Sequence, residues 1–275
     1  MEKVKLENKT IAIIGVGNMG STIAHSLLRK KVIPAKNLIL SNPSLEKLIH
    51  FKQLATIITA VNKNAVERAD IIILAVKPQT LTPVLQEIKS AVSKNKLIIS
   101  IAAGFELKTI KKILGVQQSV VRVMPNLCAR VSKSMSCWVK SKEVTNEQSM
   151  EVKIILQAIG KECLLEEENL LDQVTAISGS GPAYVFYLVE LLEKSALKLG
   201  LDKKLANMLA TQTVVGSVKI LENSKKSVKI LREEVTSKGG TTEAAFKKFN
   251  KSRFEIIFIN AVRAAYLRAR ELHFQ

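Results

Sequence analysis

Residues 11–20 read IAIIGVGNMG: an unbroken apolar run, then a G-x-G-x-x-G turn, then the helical pattern STIAHSLLRK. This stretch limits the fold more than any other. A strand with no polar alternation is buried on both faces, and glycines at this spacing suit a tight strand-to-helix turn. Similar runs recur at LILSN (38–42), around ATIITA (55–60), and at IIILAVKP (71–78), LIISIAAG (97–104) and SVVRVMPN (119–126). Helical patterns separate them at 44–54, around NAVERA (64–69), at 80–93 and at 106–114. MSCWVK (135–140) and a strand-like piece near Cys163 complete the first half. Alternating strands and helices with continuous Ile/Leu/Val runs predict an α/β, Rossmann-type doubly wound parallel sheet covered on both faces.

The character changes near residue 168. Beyond it the spacing predicts helices over 183–199, 203–223, 227–236, 241–250 and 253–272, and no strand. We therefore expect a dinucleotide-binding domain over 1–167 and an all-helical dimerisation domain over 168–275. The segment AYVFYLVELLEKSALKLG (183–200) is apolar on nearly every face. So small a helical domain cannot bury such a helix alone, which points to a partner subunit.

The 275 residues and 47% apolar content suffice for two ordinary domains with real cores. No apolar run is long enough to span a bilayer, and the charged start MEKVKLENKT does not read as a signal peptide, so a cytoplasmic protein is expected. The three cysteines (Cys128, Cys137, Cys163) lack metal-type spacing and read as thiols rather than a disulfide framework or zinc site. The formal net charge is +18, with Lys and Arg scattered and aromatics only 4%, unlike the clustered stripe of a nucleic-acid binder. Such a surface attracts small anions.

In the glycine turn, Gly15 permits the tight bend, Gly17 lets backbone approach a pyrophosphate, and Gly20 lets helix and strand pack closely. With Asn18 and Met19 they form a candidate phosphate site at a helix N-terminus. Ser41 and Asn42 stand where an NAD site carries Asp or Glu. Without that repulsive charge, and with two donors for phosphate oxygens, NADPH is the expected cofactor, NADH remaining open. Ala75, Val76, Lys77 and Pro78, and Ala102, Ala103 and Gly104, follow two further strands at the same sheet edge and leave room for a flat nicotinamide ring. Lys77 reads either as a surface lysine or as a neighbour of the phosphates. His25, His50 and His273 stand in no motif. Ser180-Gly181-Pro182 reads as a helix start, with Ser178 or Ser180 near a substrate as the alternative.

The sequence resembles the pyrroline-5-carboxylate reductases over almost its whole length. The resemblance rests on IGVGNMG (14–20), LAVKPQ (74–79), ISIAAG (99–104), RVMPN (122–126), ISGSGPAYVF (177–186), LGLDKKLANMLATQTVVGS (199–217) and, most specifically, VTSKGGTTEAAF (235–246). It implies hydride transfer from NAD(P)H to a small cyclic imine bearing a carboxylate, giving L-proline. Ser237, Gly239, Gly240, Thr241 and Thr242 suit a carboxylate held at a helix start without an arginine. The resemblance further implies Thr242 near the imine nitrogen, Asn62 near the adenosine, and an interlocked homodimer or higher homo-oligomer. In that dimer the 237–242 loop of one subunit faces the nucleotide domain of the other.

The chain departs from the family's usual pattern at Leu127-Cys128, where Thr-Pro is common, and at Lys238, where the signature loop has proline. It departs again at SKKSVK (224–229), where an acidic residue and His-Pro are frequent. Two other readings stay open on sequence: a β-hydroxyacid dehydrogenase, for which Lys194 and Lys198 lack the accompanying motif, and a non-catalytic dinucleotide-binding regulator.

Overall fold

The computed structural model describes residues 6–54 and 56–272; His273 lies outside them. Two compact units emerge: residues 6–179 with 265–272, and residues 180–264.

The first unit runs β1 (Ile11–Ile14), α1 (Asn18–Arg29), β2 (Leu38–Ser41), α2 (Ile49–Lys52), β3 (Ile57–Thr59), α3 (Asn62–Glu67), β4 (Ile71–Leu74), α4 (Pro78–Ile88), β5 (Leu97–Ser100), α5 (Leu107–Leu114), β6 (Ser119–Met124), β7 (Ser134–Lys140), α6 (Asn146–Gln157), β8 (Gly160–Leu164) and α7 (Leu170–Val174). Its eight strands form one sheet in the order β3-β2-β1-β4-β5-β6-β7-β8. Every residue of β1, β2, β4 and β5 is buried, which accounts for their continuous apolar sequences. Alternate residues serve opposite faces. Ile11, Ile13, Leu40, Ile73 and Ile99 pack with Ile23 and Leu27 of α1 and Ile155 of α6. Ala12, Ile14, Ile39, Ile72 and Ile98 pack with Val66 of α3, Leu81 and Leu85 of α4 and Ile110 of α5.

Two features differ from the sequence expectation. β7 pairs antiparallel with β6, whereas β1 to β6 are parallel. The connection over 125–133 is too short for the crossover that a parallel pair demands, so the chain folds straight back. The crossover helix comes one step later, as α6, and returns β8 parallel to β7. Thr145 starts α6 with a full capping box, accepting from the Gln148 N–H while the Gln148 side chain accepts from the Thr145 N–H, both at 3.1 Å.

Segment 168–179, expected with the helical half, groups with the sheet instead. Arg122, buried on β6, holds it there through Glu168 Oε1 at 3.0 Å and Asp172 Oδ1 at 3.7 Å. Asn126 Nδ2 also donates to the Ser178 carbonyl at 3.0 Å. One turn of wider, π-type helix spans Thr175–Gly179.

The helical unit carries α8 (Gly181–Lys198), α9 (Lys203–Asn223), α10 (Val228–Glu234), α11 (Thr241–Lys251) and most of α12 (Phe254–Glu271). Among the described residues Ala206 and Ala210 are its only buried side chains. Phe186 on α8 is 58% exposed, Ile220 on α9 60% and Ile257 on α12 59%. The helix that the sequence marks for burial on all sides is thus open within one chain. No helix among the described residues is long and apolar enough to cross a membrane.

On the sheet unit, the Lys111 ammonium, 2.6 Å from Glu143 Oε2, holds the Glu143 carboxyl down at about 2. A depressed folded-state value stabilises above the ordinary carboxyl value of 4.5 and loses that contribution as pH falls towards 2. Lys111→Met is therefore expected to lower stability at neutral pH, with the gap to wild type closing between pH 4.5 and 2. Urea unfolding across that range would measure it, and a gap independent of pH would contradict it.

Candidate active site

β1, β2, β4 and β5 end at one edge of the sheet, and backbone bonds tie the residues beyond them side by side. The Gly15 N–H donates to the Ser41 carbonyl at 2.9 Å, Ala75 to Ile14 at 2.8 Å and Ile101 to Leu74 at 3.1 Å. The strand order reverses between β1 and β4, and such a switch point opens a crevice at the carboxyl ends of the strands.

The three glycines divide the work at this crevice. Gly15 has φ +89°, and a Cβ there would lie 2.6 Å from Val76 Cγ1 and 2.8 Å from the Val76 nitrogen. The β1 and β4 turns are therefore in contact. A Cβ on Gly20 would lie 2.2 Å from the Gly15 carbonyl oxygen, so α1 seats on the strand only with glycine. A Cβ on Gly17 would meet nothing within 4 Å. Gly17 is the N-cap of α1, and no side chain caps the free N–H groups of the first turn. Open space before uncapped donors and a helix dipole fits a pyrophosphate.

The other predicted cofactor residues fall as follows. Asn18 and Met19 open α1. Lys77 caps α4, its carbonyl accepting from the Thr80 hydroxyl at 2.9 Å, with Pro78 at the first helical position. Ala102 is buried and Ala103 half-buried beyond β5. Gly104 has φ +81°, and a Cβ there would lie 2.7 Å from the Leu272 carbonyl oxygen. Its smallness serves a close approach to the Leu272 backbone.

Ser41 requires a correction. It is 0% exposed, and its hydroxyl donates to Asn62 Oδ1 at 2.7 Å, so it is not a free phosphate donor. Asn62 Nδ2 in turn donates to Glu87 at 2.8 Å. The structure thus joins Ser41 and Asn62, and both amide ends of Asn62 are engaged within the protein. Asn42 accepts from the Ser44 N–H at 3.0 Å, shaping the turn after β2. Ser44 and Lys47, exposed on that turn, were not read as site residues.

In the helical unit, the loop before α11 makes a turn in which the Gly240 N–H donates to the Ser237 carbonyl at 3.0 Å. Gly239 has φ +76°, and a Cβ on Gly240 would lie 2.6 Å from Ser237 Oγ. Gly240 is the N-cap of α11, with no side-chain cap. Thr241 and Thr242 occupy the first turn, and their side chains show no hydrogen bond among the described residues. The sequence reading missed Glu243. Its Oε2 accepts from the Gly239 N–H at 2.9 Å and from Lys247 Nζ at 3.0 Å, clamping the loop. The Lys247 ammonium, then the Gly239 N–H, hold this carboxyl below its ordinary range.

At the departure after β6, Asn126 organises the turn, its side chain accepting from the Cys128 N–H at 3.1 Å. A cleft of about 640 Å³ opens at the opposite, amino-terminal edge of the sheet. Three of its carboxylates are paired with lysines, Glu147 and Glu151 with Lys9 at 3.1 and 2.8 Å and Glu143 with Lys111, and Asp70 accepts from the Thr10 N–H at 2.7 Å. Among the described residues no group of three or more His, Cys, Asp or Glu could hold a metal ion.

These features define a dinucleotide-binding protein of the doubly wound class with a separate helical unit. Residues 168–272 match the family model described as pyrroline-5-carboxylate reductase dimerisation, and residues 10–104 that described as NADP oxidoreductase, coenzyme F420-dependent. The chain belongs to the pyrroline-5-carboxylate reductase family. It is 37% identical to pyrroline-5-carboxylate reductase 2 of Bacillus subtilis, over 96% of this chain and 95% of that protein. A solved pyrroline-5-carboxylate reductase from Coxiella burnetii superposes with a TM-score of 0.89 at 36% identity, covering 96% and 98% of the two chains. The Plasmodium falciparum pyrroline carboxylate reductase, solved with NADP bound, gives 0.88 at 31%, covering 97% and 99%. This chain is an oxidoreductase of the nicotinamide-dependent kind.

The glycine geometry separates folding from binding. Gly17→Ala has open space and should keep its thermal midpoint, yet weaken dinucleotide affinity about tenfold or more, ~1.4 kcal/mol. Gly20→Ala should lose both. Thermal unfolding with cofactor titration distinguishes them, and normal NADPH affinity in Gly17→Ala would exclude the phosphate site.

Proposed function

We propose that this chain reduces the cyclic imine 1-pyrroline-5-carboxylate to L-proline, the last step of proline biosynthesis, with NADPH as preferred donor. The observation that carries the reading is the 237–242 loop: an uncapped helix start with Thr241 and Thr242 hydroxyls that have no hydrogen-bond partner among the described residues. A helix N-terminus contributes up to ~2 kcal/mol towards a favourably placed anion. The substrate carboxylate sits on the N–H groups of Thr241 and Thr242, with Ser237, exposed Gly239 and half-buried Gly240 beside it. Glu243 keeps the loop in shape, and Lys247 offsets its charge so that it does not repel the substrate.

The Thr242 hydroxyl orients the imine nitrogen. A protonated imine is already electrophilic, so the chain's task is to position and to stabilise charge, and no histidine is needed. The bound nicotinamide supplies the hydride. The residues proposed to hold the dinucleotide are Gly15, Gly17, Asn18, Met19 and Gly20 at the pyrophosphate, with Ala75–Pro78 and Ala102–Gly104 along the strand ends. Asn42, Ser44 and Lys47 are proposed at a 2′-phosphate, with Asn62 supporting that turn through Ser41.

The test is loss of NADPH absorbance, with NADH in parallel, on adding pyrroline-5-carboxylate. NADPH oxidation with proline formed is expected, faster than with NADH. Tight dinucleotide binding without oxidation would instead favour the regulator reading. Thr242→Ala should reduce kcat/KM by roughly ten- to a hundredfold, the worth of a hydrogen bond to a charged group at about 1.5–3 kcal/mol. Unchanged turnover and affinity would remove Thr242 from the mechanism.

The family-model match and the open apolar faces of α8, α9 and α12 support a homodimer as the working unit. Ile257→Glu should yield a single-chain mass by light scattering, lose turnover about tenfold or more, ~1.4 kcal/mol, and keep NADPH binding. A fully active monomer would contradict the proposal.

A further inference from the structure

β7 and β8 pair in parallel with Cys137 directly opposite Cys163. In-register neighbours on adjacent strands sit about 4.8 Å apart. That lies within the Cα separation of roughly 4.4–6.8 Å that a disulfide accepts. Register partners present their side chains to the same face, so the two thiols point the same way. Cys137 is 6% exposed and packs with Leu171, while Cys163 is exposed. β8 is the terminal strand of the sheet. An edge strand has a neighbour on one side only, so it can shift by the small amount that closes Cβ···Cβ to about 3.8 Å. Burial, and after it the adjacent Cys163, push the Cys137 thiol up. All three thiols are free, and Cys128 lies apart in the turn after β6.

We propose that Cys137 and Cys163 form a reversible dithiol–disulfide site, with a peroxide as oxidant. Cys163 is the thiol that a dissolved oxidant reaches. Its sulfur attacks a peroxide oxygen, the O–O bond breaks, and one water leaves as the cysteine becomes a sulfenic acid. The Cys137 sulfur then attacks the Cys163 sulfur, and the hydroxyl departs as a second water with the Cys137 proton. In sum, two thiols lose two electrons and hydrogen peroxide becomes two waters. A dithiol reductant reverses the step by exchange. The link would fasten the edge strand to its neighbour and act on the packing of Cys137 against Leu171, Met124 and Val174. Met124 also reaches the place beside Gly179, where a Cβ would lie 2.6 Å from its terminal methyl.

The experiment treats the purified full chain with hydrogen peroxide, blocks remaining thiols, and maps peptides without reduction. The expected result is one intrachain peptide pair joining Cys137 to Cys163, two hydrogens lighter than its parts and separated by dithiothreitol. Cys128→Ser should give the same pair. Cys163→Ser should abolish it and leave Cys137 open to alkylation once unfolded. The proposal is overturned if Cys163 ends as sulfinic or sulfonic acid with Cys137 still a thiol, or if Cys163 links to Cys128 or to another chain. It is equally overturned if both thiols are recovered unchanged at a peroxide level that oxidises a free dithiol.

Discussion

The contact between the turns that follow β1 and β4 governs the nucleotide-binding half. Backbone meets backbone there: any side chain on residue 15 would overlap Val76, and any on residue 20 would overlap the Gly15 carbonyl. Because the central strands are buried on both faces, neither turn can move aside without disturbing a core. The N-terminus of α1 is therefore held over the strand ends, with its N–H groups directed into the space left at Gly17. The binding surface is a by-product of tight packing, which costs less than ordering loose polar side chains.

Charge enters at two distances. Across the surface, +18 draws anions towards the protein in a way that salt weakens. At contact range the candidate anion sites are instead made largely of backbone N–H groups, at α1 and α11. Beside the proposed substrate loop, Lys247 is already engaged by Glu243.

Much of this was legible in the sequence. The Ile/Leu/Val runs of β1, β2, β4 and β5 announce a doubly covered sheet because nothing else buries every residue of a strand. The glycine turn announces the tight bend at Gly15 and the close packing at Gly20. What escaped depended on contacts between distant residues. That Ser41 turns inward depends on Asn62, and Gly104 answers to Leu272; neither pairing leaves a local trace. The reversal of β7 and the presence of α6 were within reach, the first from the short connection before Ser134 and the second from the capping box at Thr145. Glu243 was legible too, as an acidic residue on the first turn of a helix.

Large apolar side chains such as Phe186, Ile220 and Ile257 face outward in a unit whose own interior amounts to two alanines. Taken alone, α8 to α12 lack the buried area to offset the entropy of ordering their residues. With a second copy covering those faces, association and folding of this half become one event governed by mass action. Its resistance to heat or urea then rises with protein concentration.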